Sequence, residues 1–153
     1  MTIDTEKDKY YVAVKVFFVK KDKLLILKDS FGGWDLPGGR LKTDEFEKPL
    51  AEIISRKMIE ELGVMFKFKV KAPVVFLRHE RVEAVAGNPT VRIFAIGYLG
   101  ETLNEKIQLS KRHTEFRWIP IMDIHPEEYF IGGWLKGVRD FVEIYKTGLR
   151  ADN

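Results

Sequence analysis

A helix set between two groups of strands is the feature of this sequence that most restricts its fold. Residues 50–62 repeat apolar side chains at a helical spacing, Pro49 suits a first turn, and Gly63 is typical of a helix end. Thr43 or Asp44 is expected to cap the helix. At about 100° per residue, the helix is predicted to bury one face and expose another. The buried face is expected to hold Ala51, Ile54, Ser55, Met58 and Leu62, and the other face Glu52, Arg56, Lys57, Glu60 and Glu61.

Runs of alternating or β-branched residues on both sides of this helix predict strands. They fall at residues 10–19, 24–27, 34–36, 64–70, 74–78, 91–99 and 116–119, and a closing helix is expected at 134–145. Residues 79–89 and 100–112 are expected to be connections. This irregular alternation favours an α/β fold with a mixed sheet between helices.

The composition restricts location and partners. The chain of 153 residues suits one domain, 1–153, and the absence of cysteine excludes disulfides and thiolate chemistry. Without a signal-like amino terminus or a membrane-length apolar run, the expectation is a cytoplasmic protein with no membrane partner. The net charge is +3, and Lys67, Lys69 and Lys71 alternate as on the solvated face of a strand, so no nucleic-acid partner is expected. A mild positive field favours an anionic small molecule.

Two glycines and two glutamates are the candidates for chemistry. Gly38 and Gly39 let the backbone bend tightly and approach an ion or ligand. Glu60 and Glu61 are adjacent carboxylates, which repel each other in a cleft unless a cation lies between them. Oxygen ligands select magnesium or manganese, ions that neutralise a diphosphate. The alternative is a pair that only solvates the helix.

The segment from Gly38 to Val64 resembles the Nudix box. In that motif a glycine is followed six residues later by a glutamate, and then by Arg-Glu-apolar-x-Glu-Glu-x-Gly-apolar. Gly39 and Glu45 have the first spacing, and the second half is matched by Arg56, Met58, Glu60, Glu61, Gly63 and Val64. The preceding Trp-Asp-Leu-Pro-Gly-Gly at 34–39 is similar to the family's usual entry. The resemblance implies an α/β Nudix fold like that of the MutT-like hydrolases.

The resemblance also implies a metal site, from which one residue departs. Glu60, Glu61 and the Gly39 carbonyl are implied to bind magnesium or manganese. Lys57 stands where the family has a glutamate that binds metal or activates water. Helical geometry places Glu60 about 60° to one side of Lys57 and Glu61 about 40° to the other. The ammonium either weakens metal binding or takes over part of the cation's role toward phosphate.

Arg56 resembles the family arginine that holds a glutamate in place, with Glu45 or Glu47 as its partner. Three residues more than in the family pattern separate Glu45 from Arg56, so both partners stay open. The alternative for Arg56 is an i,i+4 pair with Glu52 or Glu60, and both arrangements can hold together.

A second resemblance is to GDP-mannose mannosyl hydrolases, which also lack that glutamate, use a histidine base and cleave at the sugar carbon. The glycine segment 38–45 and the His-Thr-Glu-Phe-Arg-Trp stretch at 113–118 are similar to theirs. On this match His113 is the general base, with a near-neutral pKa suited to the work. Arg112 stands where those enzymes carry a metal-binding glutamine. The alternative is that His113 is a structural or substrate-contacting loop residue.

Further candidates are weaker. Trp34 and Phe31 flank a glycine pair and either stack on a base or pack in the core. Lys28 and Arg40 either contact phosphate or are solvated. The late loop offers carboxylates among which the sequence gives no preference: Glu101, Glu105 and Glu115.

The expected function is magnesium-dependent hydrolysis of a nucleoside diphosphate linked to another moiety. A nucleotide sugar is the first substrate and a nucleoside triphosphate the second. The alternative is a catalytically weak nucleotide-binding module, which is suggested by Lys57 in place of the motif's glutamate. The partner is a nucleotide-type small molecule, and a homodimer stays open.

Overall fold

A computed structural model describes residues 5–83 and 89–149. Within these residues the fold consists of two helices, α1 and α2, and seven strands, β1 to β7. The strands are Tyr11–Lys20, Lys23–Asp29, Trp34–Asp35, Gly38–Arg40, Phe68–Val82, Thr90–Thr102 and His113–Pro120, and the helices are Leu50–Leu62 and Gly132–Thr147. Short 3-10 turns lie at Thr43–Glu45 and Pro126–Glu128. No helix in the described residues has the length and apolarity to cross a membrane.

The strands form one mixed sheet in the order β3-β2-β1-β6-β5, with β4 paired to β1 and β7 paired to β2. β1 runs parallel to β6 and antiparallel to β2 and β4. Its side chains alternate between two cores: Ala13 and Phe17 pack with α2, and Val14 and Val16 pack with α1. The expected architecture of a mixed sheet between helices is confirmed.

α1 has the predicted bounds, but its cap and its buried face differ from expectation. Pro49 is the N-cap, so the predicted cap at Thr43 or Asp44 is wrong, because those two residues lie in a separate 3-10 turn. Gly63, at φ +89°, ends the helix, and its N–H donates to the Ile59 carbonyl.

The buried face of α1 is turned relative to the prediction. Ile53, Ile54, Met58 and Leu62 are buried, whereas Ala51 and Ser55 are exposed. The larger Ile53 packs into the core in place of the two small residues, because burying it removes more apolar surface from water. This rotation carries Lys57 and Glu61, predicted on the solvent side, into half-buried positions.

Several predicted strand limits are wrong. Residues 64–67 are not strand, and 68–82 form one strand in place of a strand at 74–78 followed by a connection at 79–89. Pro73 lies where the β5–β6 register shifts, a position that tolerates a missing N–H, so the strand continues through it. β6 and β7 are longer than predicted: β6 takes residues 100–102 from the expected loop at 100–112, and β7 begins at His113, just after that loop. Residues 84–88 of the predicted connection lie outside the described residues.

Candidate functional site

The glycine segment and the end of α1 meet through Glu61. The backbone N–H of Gly38 donates to the Glu61 carboxylate, with N–O distances of 3.1 and 3.4 Å. Gly38 has φ +142°, and a Cβ at this position would lie 2.0 Å from the Val14 carbonyl oxygen. Only glycine fits there. Glycine therefore brings the chain close enough to β1 for its amide to reach the helix carboxylate.

Glu60 is directed elsewhere. Its side chain is 48% exposed and accepts a hydrogen bond from Arg56 Nη1 at 2.8 Å. The two carboxylates implied as a ligand pair thus differ, one held at the glycine segment and the other in a surface ion pair.

Arg56 also pairs with Glu45, so the two arrangements considered for this arginine coexist. Its Nε and Nη2 donate to the two oxygens of Glu45 at 2.8 and 2.6 Å. Glu45 is only 2% exposed and also accepts from the Lys42 N–H at 2.7 Å. Burial alone would raise the pKa of Glu45, but the Lys42 N–H and Arg56 outweigh it and hold the pKa below its usual value. Glu45, rather than the exposed Glu47, is therefore the partner of Arg56.

Among the carboxylates of the motif, Glu61 has the pKa that is shifted furthest from its usual value. Burial raises its pKa to about 7, opposed by Lys15 and the Gly38 N–H and assisted by the carboxylate of Asp35. A carboxyl group with a pKa near neutrality can accept or donate a proton at physiological pH.

Lys57 lies against the glycine segment. A Cβ placed on Gly39 would be 2.9 Å from Lys57 Nζ and 3.1 Å from its Cε, so the end of the side chain rests against Gly39. Burial and the neighbouring Arg56 lower the pKa of Lys57, while Glu60 and Glu61 oppose the shift. The residue that departs from the Nudix box therefore places its ammonium at the glycine implied as a metal ligand.

Sequence reasoning missed an ion pair made by a buried lysine in the same region. The Lys15 Nζ lies 3.0 Å from both Asp35 oxygens and 3.3 Å from the Leu36 carbonyl oxygen. It also lies 5.3 Å from the centroid of the Trp134 ring. Lys15 shares the sheet face of the buried Ala13, so one charge within an apolar strand was the signal that could have revealed it.

His113 opens β7 and is half-buried. Its Nδ1 lies 3.0 Å from the Ser110 hydroxyl. Burial lowers its pKa below the usual value, with Asp35 acting against the shift and Lys15 adding to it. The ring is therefore neutral at pH 7, the form a general base needs.

A second histidine, His79, was not singled out from the sequence. It is buried and stacks on Trp134 with ring centroids 4.6 Å apart. The backbone N–H of Trp134 donates to His79 Nδ1, with an N–N distance of 3.4 Å. These contacts fix the start of α2 against β5.

The other substrate-contact candidates have protein partners. The half-buried Trp34 packs against the core, with the Lys28 ammonium 5.6 Å and the Arg117 guanidinium 4.9 Å from its ring centroid. Arg40 forms an ion pair with Glu83 and lies over the Tyr11 ring. Phe31 is 97% exposed. Each late carboxylate has a cationic partner, Lys71 for Glu101, Lys20 for Glu105 and Arg117 for Glu115.

The donors in the cleft do not fit a metal site built on several carboxylates. Within the described residues, no three histidine, aspartate or glutamate side chains gather closely enough to hold a metal ion. Glu60 is engaged by Arg56, and the third acidic position of the motif is an ammonium. Glu61 and the Gly39 carbonyl are what is left of the implied ligand set. Magnesium or manganese binding stays a prediction.

Comparison with known proteins identifies the fold. No family model and no curated protein matches the sequence. Among solved structures, an ADP-ribose pyrophosphatase from Streptococcus suis superposes with a TM-score of 0.64 and 15% identity, over 92% of this chain and 95% of that one. A MutT protein from Methanosarcina mazei gives 0.61 and 21%, over 97% and 99%. An Ap4A hydrolase from C. elegans gives 0.65 and 15%, over 89% and 98%. The chain therefore has the Nudix, MutT-like fold expected from the sequence.

Proposed function

We propose that this chain is a Nudix-type hydrolase that acts on a nucleoside diphosphate linked to another moiety. One observation carries the proposal: the Glu61 carboxylate on α1 accepts a hydrogen bond from the Gly38 amide, so the two halves of the motif are in direct contact. A nucleotide sugar is the first substrate and a nucleoside triphosphate the second. The likeness to structures named ADP-ribose pyrophosphatase and Ap4A hydrolase supports a substrate with linked phosphates.

The roles proposed for the side chains follow from their positions. Glu61, with a pKa of about 7, and His113, neutral at pH 7, are the candidate bases that accept a proton from the attacking water. Lys57 faces the phosphates from Gly39. Glu45 and Arg56 are positioning residues, because they fix α1 relative to the segment that follows β4. Lys28, Trp34 and Arg40 stay proposed as outer contacts to the substrate.

The test is turnover of a panel of nucleotide sugars, dinucleoside polyphosphates and nucleoside triphosphates, in magnesium, in manganese and in chelator. Glu61→Gln is expected to lower turnover at least about a hundredfold, a loss of about 2.7 kcal/mol of transition-state stabilisation. The matched control is Glu52→Gln, which makes the same change from carboxylate to amide at an exposed position of the same helix. Unchanged turnover in Glu61→Gln would contradict the assignment, and activity in chelator would contradict a metal requirement.

The products identify the bond and the base. Attack of water on phosphorus gives a nucleoside monophosphate and a sugar phosphate, whereas attack on the sugar carbon gives a free sugar and an intact nucleoside diphosphate. The second outcome, with loss of turnover in His113→Ala and a rate that falls as pH drops through the histidine pKa, would assign the base to His113. If the products are a nucleoside monophosphate and a sugar phosphate, and His113→Ala is still active, the base is assigned to Glu61.

A catalytically weak nucleotide-binding module is the second candidate, and the position of Lys57 against Gly39 favours it. In that case the wild type binds nucleotides but turns over none of the panel. If Lys57 has disabled an ancestral pyrophosphatase, Lys57→Glu restores a third carboxylate, and pyrophosphate cleavage appears. Turnover by the wild type excludes the module.

A further inference from the structure

Gly39 is constrained by the Lys57 side chain rather than by its own backbone conformation. Unlike Gly38, it is not among the described glycines with positive φ. What a Cβ at this position would meet is the last part of Lys57: Nζ at 2.9 Å, Cε at 3.1 Å and Cδ at 3.3 Å. The absence of a side chain at 39 is therefore what allows the lysine to lie across β4.

The Lys57 ammonium has no protein counterion within the described part of the chain, although carboxylates flank it. Glu60 pairs with Arg56, and Glu61 accepts from the Gly38 amide. Because Lys57 is half-buried, its charge is only partly hydrated. A partly desolvated cation without an ion-pair partner is a site for an anion, and it repels a divalent cation that would approach Gly39.

We propose that the diphosphate of the substrate binds directly to the Lys57 ammonium over Gly39, so that binding does not require a divalent metal. This rests on the proposed function for the identity of the anion. In a site with a carboxylate at 57, a metal ion has to bridge the carboxylate and the phosphate, whereas an ammonium contacts phosphate oxygens itself.

The experiment measures the binding of inorganic pyrophosphate and ADP-ribose by calorimetry, in chelator and in magnesium. The wild type is expected to bind equally well in both, within about threefold, and Lys57→Gln is expected to bind at least about tenfold more weakly in chelator. Lys48→Gln removes the same charge from an exposed lysine close to α1 and is expected to stay near the wild-type value. Lys57→Glu is expected to bind only with magnesium.

Gly39→Ala gives a second test that keeps every charge. The added Cβ displaces the ammonium, so binding in chelator is expected to weaken although the lysine is still present. Thermal unfolding of each variant establishes that it is folded. The comparison of wild-type binding in chelator and in magnesium does not depend on any variant. A wild type that binds only in magnesium, or Lys57→Gln binding like the wild type in chelator, would overturn the proposal. Absence of turnover would refute the hydrolase and leave this result standing.

Discussion

Glu45 is a carboxylate that Arg56 and the Lys42 amide keep ionised in a nearly closed environment. Its pKa lies below that of an unfolded-state glutamate, near 4.3. The stabilisation it contributes is therefore complete above that value and is lost as pH falls through the lower, folded-state pKa.

Glu45→Gln is expected to lower the melting temperature at pH 7 by at least about 3 °C, because the neutral amide cannot form the charge-assisted pair with Arg56. The difference from wild type should begin to shrink as pH falls below the unfolded-state value of about 4.3, and it should vanish once pH lies below the lower pKa of the folded state. Glu47→Gln, the partner that the sequence left open, is the control and should change little because Glu47 is exposed. Equal effects of the two substitutions would contradict the assigned pairing.

Lys15 holds together the junction of β1, β3 and the segment that leads into β4. The side chain of Lys15 is 6% exposed and that of its partner Asp35 is 32% exposed. The same ammonium lies at hydrogen-bonding distance from the Leu36 carbonyl oxygen, just before the glycine pair. The pair thus ties the entry of the glycine segment to the central strand.

Removing either partner of this pair should have unequal costs. Asp35→Asn leaves a buried ammonium without its counterion and is expected to reduce the free energy of unfolding by about 3–5 kcal/mol. Lys15→Met leaves a carboxylate that water can reach, and methionine fills the apolar space, so the loss should be smaller. Urea unfolding of both variants measures the difference. If Lys15→Met lost more free energy of unfolding than Asp35→Asn, the larger cost would not come from leaving the buried ammonium without its counterion.

The two neighbouring glycines should also differ. Gly38→Ala combines a positive φ with a Cβ 2.0 Å from the Val14 carbonyl oxygen, so β4 cannot stay paired with β1. In Gly39→Ala the obstacle is the flexible end of Lys57, which can move away. Denaturant unfolding is expected to show a loss above about 3 kcal/mol for the first and below about 1 kcal/mol for the second. Similar losses of unfolding free energy would mean that the backbone, and not the Lys57 side chain, excludes a Cβ at position 39.

Local periodicity predicted the bounds of α1 but not the direction in which its faces point in the folded molecule. The bounds of α1 followed from apolar spacing and Gly63, both of which act within the helix. Its rotation depends on which side chain the sheet accepts, and the larger Ile53 displaced the small Ala51 and Ser55 from the buried face. Strand limits failed around Pro73 because a register shift with β6 accommodates the proline, which the sequence of β5 alone does not reveal.

The candidate site was predictable to a similar extent. The motif spacing identified Glu61 and the glycine pair, which the structure brings together through the Gly38 amide. It could not show that Lys57 lies on Gly39, since that contact depends on the turn of α1. Lys15 was missed because its partner Asp35 is contributed by another strand.

The parallel pairing of β1 with β6 is expected to form late during folding. It joins Tyr11 to Ile93 and Val19 to Glu101, positions far apart along the chain. Closing so long a loop costs conformational entropy before any contact repays it, and pairings of this kind slow folding. The neighbours of β1, including the glycine strand β4, can assemble from nearby segments first. Until β6 docks, one edge of the strand that carries Lys15 stays open to water, so we expect the buried charge of Lys15 to be established late in folding.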